Sequence, residues 1–90
     1  MAYDVRLSPH AVRQYKQLPP SVAPQIQAGL DALRHSPLSG AKVKRLRGRL
    51  REYFRYRAGD YRVIYAVDTR ERVVDIDYIQ HRTDVYRGLS

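Results

Sequence analysis

Three stretches in the second half of the chain alternate apolar and polar residues with a period of two. They lie near residues 50–57, 61–67 and 73–79, and the segments between them, 58–60 and 68–72, are short and contain the turn residues glycine and aspartate. Strands joined by so few residues pair as antiparallel hairpins. The sequence therefore predicts an antiparallel β-meander, which commits this half of the chain to one sheet.

The first half begins with a short strand and a helix. Residues 2–7 alternate and predict a strand. Ser8 and Pro9 have the pattern of a helix N-cap followed by proline at the first helical position. Pro19 and Pro20 end this helix. Its apolar face is expected to hold Ala11, Val12, Tyr15 and Leu18.

A second helix follows directly, with Ser21 as the expected N-cap and Pro24 in the first turn. Ser36 and Pro37 end it, and its apolar stripe is Val22, Ile26, Leu30 and Leu33. Two helices joined by so short a link are expected to form an antiparallel hairpin. Residues 38–49 are interpreted as a basic connector. The chain is thus a single α+β domain over residues 1–90: an N-terminal strand, a helical hairpin packed on one sheet face, and an antiparallel β-meander.

The burial of charge predicts which side chains of the first hairpin of the meander lie on each face of the sheet. If its loop has an even number of residues, Arg57 lies opposite Arg62, and paired residues share a sheet face. An odd loop would place Arg62 on the apolar face and bury a charge without a partner, which costs several kcal/mol. The even register predicts a core face of Phe54, Tyr56, Tyr61, Val63, Tyr65 and Val67. It predicts an opposite face of Arg51, Tyr53, Arg55, Arg57 and Arg62.

The positive charge of the chain is concentrated in one region. The formal net charge is +8, and the segment between residues 42 and 62 has nine basic residues against two acidic ones. Such a concentration of positive charge favours binding of a phosphate polyanion. It is also consistent with a role in solubility or in binding an acidic protein partner. The nine basic residues are Lys42, Lys44, Arg45, Arg47, Arg49, Arg51, Arg55, Arg57 and Arg62.

Composition excludes several classes of site. The chain has no cysteine, so disulfides and thiolate metal sites are ruled out. No carboxylate cluster or HExxH pattern indicates a metal, and we expect no cofactor. No apolar run approaches the roughly 20 residues of a membrane span, and the N-terminus lacks the apolar core of a signal peptide. We expect a cytoplasmic protein without a membrane partner.

Candidate proton-transfer groups lie near the C-terminus at His81, Arg82 and Tyr86. An arginine-rich sheet can stabilise charge on a phosphate without a metal, and RNA brings its own nucleophile in the 2′-hydroxyl. Tyrosine acts as a base only where nearby arginines lower its pKa. Each residue also has a structural interpretation: a surface histidine, a solvated charge and an aromatic side chain packed on the sheet. Tyr53 could stack on a base or merely cover sheet surface.

The segments LRGRLREYFRYRAGDYRVIYAVD and VVDIDYIQHRTDVYR resemble the RelE/ParE toxin superfamily. The resemblance covers essentially the whole chain, and its most specific parts are GDYRVIY at 59–65 and HRTDVYR at 81–87. It implies the small α+β fold of microbial ribonuclease-like toxins. For the RelE branch it implies a type II toxin that inhibits translation by cleaving mRNA in the ribosomal A site, leaving a 2′,3′-cyclic phosphate and a 5′-hydroxyl.

The resemblance also implies roles for individual residues. Arg62 matches the central-strand arginine that stabilises the pentavalent phosphate, and Arg82 matches the arginine after the last strand. Tyr86 matches the tyrosine proposed as the base. Arg55 stands where RelE has its second catalytic-strand lysine, whereas Tyr53 replaces the first, so His81 becomes a substitute proton carrier. The remaining RNA- or ribosome-binding residues are expected to be Lys42, Lys44, Arg45, Arg47, Arg51 and Arg57.

The resemblance further implies partners. A cognate antitoxin, acidic and partly disordered, is expected to silence the chain, and operator DNA is expected to be contacted only through the antitoxin complex. Two other functions remain open from the sequence. One is a ParE-like poison of DNA gyrase without nuclease activity, and the other is a non-catalytic module that binds RNA or the ribosome.

Overall fold

The computed structural model describes residues 2–46 and 53–83, which form five strands and two helices. The elements in chain order are β1 (Asp4–Leu7), α1 (Pro9–Lys16), α2 (Ala23–His35), β2 (Val43–Leu46), β3 (Tyr53–Ala58), β4 (Tyr61–Asp68) and β5 (Val73–His81). No helix among these residues is long and apolar enough to cross a membrane.

The strands make one mixed sheet in the order β1-β5-β4-β3-β2. The run from β2 to β5 is an antiparallel meander, whereas β1 pairs in parallel with β5 at the far edge. The α+β class and the antiparallel meander predicted from the sequence are confirmed. The predicted strand at 50–57 is confirmed from Tyr53 onwards, and its first three residues lie outside the described part.

The interpretation of residues 38–49 as a connector is wrong, because Val43–Leu46 forms β2. The strand pairs with β3, and Val43 lies opposite Tyr56 and packs against the core. Lys44 and Arg45 hide the apolar alternation of so short a strand. Charged residues, lysine above all, are common on edge strands because they discourage pairing with another chain.

The hairpin register predicted from charge is confirmed. Arg57 pairs with Arg62, and Ala58 pairs with Tyr61, so the loop is the two residues Gly59 and Asp60. Gly59 has a φ of 61°, the left-handed value that glycine adopts at the first position of a two-residue hairpin loop. Ala58 therefore belongs to the strand, one residue beyond its expected end.

The core lies between the helices and one face of the sheet. From β3 and β4, Phe54, Val63 and Tyr65 are buried in it, and the hydroxyl of Tyr65 donates to the carbonyl oxygen of Pro37 at 2.7 Å. Burial, followed by the proximity of Tyr56, raises the pKa of Tyr65 far above its usual value. The helices contribute Ala11, Ile26, Leu30 and Leu33.

Two expectations for the helices are wrong. Val12 is 36% exposed, because the contact stripe of α1 runs through Ala11, Tyr15 and Leu18 at spacings of four and three. Ser21 is not the cap of α2. The amides of Val22 and Ala23 both donate to the carbonyl oxygen of Pro19, so the chain enters α2 through a turn that uses no side-chain cap.

Ser8 caps α1 as predicted and also holds the last strand. Its Oγ accepts from the amide of Ala11 at 3.0 Å and donates to the carbonyl oxygen of Asp77 at 2.7 Å. Asp77 is the extra residue of a β-bulge, since Tyr78 pairs with Ile64 while Ile76 pairs with the next residue of β4. The bulge reverses which side chains of β5 face the core, from Ile76 before it to Ile79 after it.

We predict that Ser8→Ala lowers the free energy of unfolding by about 1–2 kcal/mol, because the substitution removes an N-cap and a bond to the bulge carbonyl. Ser21→Ala is the matched control, since the Ser21 side chain caps nothing. Urea unfolding of both variants measures the difference. An equal loss of stability in the two variants would contradict this account of Ser8.

Candidate phosphate-binding face

The sheet face opposite the helices carries the basic residues, and we call it the arginine face. The residues that the strand register places on it include Lys44 of β2, Tyr53, Arg55 and Arg57 of β3, Arg62, Ile64 and Ala66 of β4, and Asp75, Tyr78 and Gln80 of β5. The sequence predicts that Tyr53, Arg55, Arg57 and Arg62 share this face. The structure confirms that placement.

Three arginines are close neighbours on this face. Arg57 and Arg62 are directly opposite, and Arg55 is diagonal to Arg62. Opposed side chains have Cβ atoms about 4.5–5.5 Å apart and diagonal ones about 7–8 Å, and like charges so placed destabilise a sheet. The fold thus presents three positively charged side chains side by side on neighbouring strands.

Local bonds orient one of the arginines. The Nη1 of Arg62 donates to the carbonyl oxygens of Tyr61 at 3.3 Å and Gly59 at 3.4 Å, so its guanidinium leans toward the hairpin turn. The Nε of Arg55 is buried and has no hydrogen-bond partner among the described residues, which is a cost to stability.

Arg82 lies at the same end of the sheet. Its amide donates to the carbonyl oxygen of Asp60 at 2.7 Å, and its Nε is 3.8 Å from the Oδ1 of Asp60. Both side chains are more than half exposed, so the ion pair itself contributes little stability. The backbone bond fixes where the chain leaves β5, and it places Arg82 beside the turn that also orients Arg62.

His81 lies on the other side of the sheet from Arg55 and Arg62. It pairs with Tyr61, whose ring meets the imidazole edge-on at a centroid distance of 5.3 Å. Its Nδ1 is 3.0 Å from the Oγ1 of Thr83. The imidazole lines two surface cavities of about 270 and 390 Å³ on the helix side. The structure therefore does not bring His81 together with the arginines.

The remaining predicted residues divide between the two faces. Lys44 lies opposite Arg55 on the arginine face, whereas Arg45 lies opposite Phe54, with its guanidinium 5.8 Å from that ring. Lys42 precedes β2, and its carbonyl oxygen accepts from the amide of Arg57. Arg47, Arg51 and Tyr86 lie outside the described residues.

Tyr78 is a residue of this face that the sequence analysis missed. It lies opposite Ile64 and is partly exposed. Burial raises its pKa, and the charges of Asp77 and Tyr53 raise it further. Simple alternation from Val74 would place Tyr78 in the core. Only the bulge brings it to the arginine face, and nothing in the residue pattern marks the bulge.

Comparison with known proteins places this fold among bacterial and archaeal toxins. The family model described as the ParE toxin of the type II toxin–antitoxin system parDE matches residues 5–86. Toxin RelG of Mycobacterium tuberculosis is 35% identical over 88 residues, which cover 97% of this chain and 99% of RelG.

Two solved complexes contain similar chains. The archaeal RelE–RelB complex from Pyrococcus horikoshii matches with a TM-score of 0.79 and 30% identity, covering 91% of this chain and 97% of the other. The RelBE2 toxin–antitoxin complex from Mycobacterium tuberculosis matches with a TM-score of 0.79 and 31% identity, covering 91% of this chain and all of the other.

We predict that the Tyr78 hydroxyl ionises above its ordinary pKa. Because the neutral form is favoured by folding, the contribution of this group to stability is complete below pH about 10 and is lost as the pH rises through the folded-state pKa. An alkaline titration of tyrosine ring resonances by NMR, with Tyr78→Phe to assign the signal, measures the shift. Ionisation of Tyr78 below pH 10 would contradict the environment described.

Proposed function

The chain belongs to the RelE/ParE superfamily of type II toxin–antitoxin toxins, and from this premise we propose that it is a ribosome-dependent mRNA endoribonuclease. The observation that carries the proposal is the arginine face, where Arg55, Arg57 and Arg62 lie on neighbouring strands of a sheet that no described helix covers on that side. A poison that binds a protein target does not require a cluster of arginines suited to phosphate oxygens.

Arginine suits the chemistry of RNA cleavage. When a 2′-hydroxyl attacks the adjacent phosphate, negative charge grows on the phosphate oxygens. A guanidinium offers paired donors to those oxygens and stays protonated at every relevant pH. Side chains held on strands need little reorganisation as the charge develops, which is the condition for strong electrostatic stabilisation. Arg62, between Arg57 and Gln80 in the register, is assigned the central phosphate contact.

Proton transfer is assigned to the C-terminal segment. The placement of His81 across the sheet leaves Tyr86 as the proposed base, a role that the family resemblance implies. Arg82 is assigned a second phosphate contact, because its backbone is held at Asp60 beside the Arg62 turn. No metal ion or cofactor is part of this mechanism, since the nucleophile belongs to the RNA and the charge is met by arginines.

We further propose that a cognate acidic antitoxin silences this toxin. The similar chains of known structure include those of a RelE–RelB complex and a RelBE2 toxin–antitoxin complex. An acidic segment that reaches the arginine face would take the place of the phosphate there. Long-range attraction would make its association rate fall with added salt, whereas its dissociation would change less.

We predict that Arg62→Gln keeps the fold and ribosome binding but lowers the mRNA cleavage rate by about 10²–10³, the usual loss for one preorganised contact to the transition state. Arg13→Gln is the matched control, since it removes the same charge from an exposed position on α1, on the other side of the sheet. Single-turnover cleavage on programmed ribosomes measures both rates. Equal rates in the two variants would remove Arg62 from the site.

We also predict the chemistry of the product ends. Attack by the 2′-hydroxyl leaves a 2′,3′-cyclic phosphate on one fragment and a 5′-hydroxyl on the other. End-specific ligation and mass spectrometry of the fragments identify both groups. A 5′-phosphate would indicate an activated water and would reject the mechanism. Intact mRNA together with accumulated gyrase–DNA cleavage complexes would identify the chain as a ParE-like gyrase poison.

A further inference from the structure

Two tyrosines stand beside the arginines on the arginine face. Tyr78 of β5 lies opposite Ile64, and Tyr53 of β3 lies opposite Ala66, two positions along β4 from Ile64. Ala66, which is opposite Tyr53 and diagonal to Tyr78, has only a methyl side chain. Tyr53 is close enough to Tyr78 to raise its pKa. Both rings are partly exposed.

We propose that Tyr78, together with Tyr53, forms a platform on which an unpaired base of the mRNA stacks while the arginines hold the adjacent phosphates. This inference rests on the proposed nuclease function and adds a contact to the base. Arg55 lies opposite Ile64 on one side, and Tyr78 lies opposite it on the other. A nucleotide that spans this row of the sheet reaches the guanidinium with its phosphate and the phenol ring with its base.

The combination of aromatic and basic side chains supports this arrangement. Tyr78 is neutral at physiological pH, as an ordinary tyrosine is, and burial raises its pKa further. A neutral aromatic ring stacks on any base, and the surrounding arginines supply the attraction for the backbone. The pairing of a stacking surface with a basic track is the usual composition of a site for single-stranded nucleic acid.

A purely structural role is the competing explanation, because Ile64 is only 4% exposed although it lies away from the main core. Tyr78 lies opposite Ile64 and Tyr53 is diagonal to it, positions from which both rings would shield it. If shielding were their whole purpose, replacing Tyr78 would lower stability and weaken every RNA equally. If Tyr78 stacks on a base, its replacement should weaken binding only of those RNAs that carry a base at the contacted position. This difference separates the two roles.

The test uses ribosomes programmed with mRNA whose A-site codon is 2′-O-methylated to block cleavage. A second set carries an abasic residue at one codon position at a time. Binding of the wild type, Tyr78→Leu, Tyr78→Phe and Arg55→Gln is measured with both sets. Tyr78→Leu should bind the base-bearing mRNA about 5- to 150-fold more weakly than the wild type. It should match the wild type on one of the abasic mRNAs, and Tyr78→Phe should stay close to the wild type throughout.

Each other outcome overturns one specific claim. Equal affinity of Tyr78→Leu and the wild type on all mRNAs, or an equal loss on base-bearing and abasic mRNAs, overturns the platform. Arg55→Gln should weaken both sets alike, and unchanged binding by that variant overturns the phosphate site itself. If Tyr78→Leu does not fold, 2-aminopurine in the codon replaces it, since stacking on the wild-type protein should quench its fluorescence. No quenching at any codon position overturns the platform.

Discussion

The turn at Gly59 and Asp60 decides which side of the sheet each side chain of β3 and β4 occupies. Its two residues place Arg57 opposite Arg62, and a slip by one residue would exchange the two faces of one strand. The buried side chains oppose such a slip, because turning β4 over would expose Val63 and Tyr65 and bury Arg62. The apolar core and the basic face are therefore two results of one register.

The last strand adds a second constraint. Without the bulge at Asp77, Tyr78 and Gln80 would point toward the helices, and Ile79 and His81 would point toward the arginines. Ser8 bonds both the first turn of α1 and the carbonyl oxygen of Asp77, so the beginning of the helical layer and the composition of the arginine face are coupled. On this face Arg57 and Arg62 are neighbours of like charge, and the buried Arg55 Nε has no hydrogen-bond partner among the described residues.

Residue patterns predicted those parts of the fold that depend on strong alternation or on the burial of charge. The α+β class, the meander and the Arg57–Arg62 pair follow from such patterns, and so do the placements of Tyr53, Arg55, Arg57 and Arg62. Three features did not follow. Lys44 and Arg45 conceal the alternation of β2, the entry into α2 is capped by the Pro19 carbonyl rather than by Ser21, and the bulge moves His81 away from the arginines. The residue content of β2 hides the first, whereas a backbone bond and a pairing irregularity, which a sequence does not display, decide the other two.

The central claim is that mRNA lies on the arginine face. Its most direct test is arginine-specific chemical modification followed by mass spectrometry, on toxin bound to ribosomes with and without a cleavage-blocked mRNA codon in the A site. The account predicts that adding the codon protects Arg55, Arg57 and Arg62 and leaves Arg13 and Arg34 of the helical layer unchanged. Codon-dependent protection of Arg13 and Arg34, or modification of the three face arginines at the same rate with and without the codon, would contradict it.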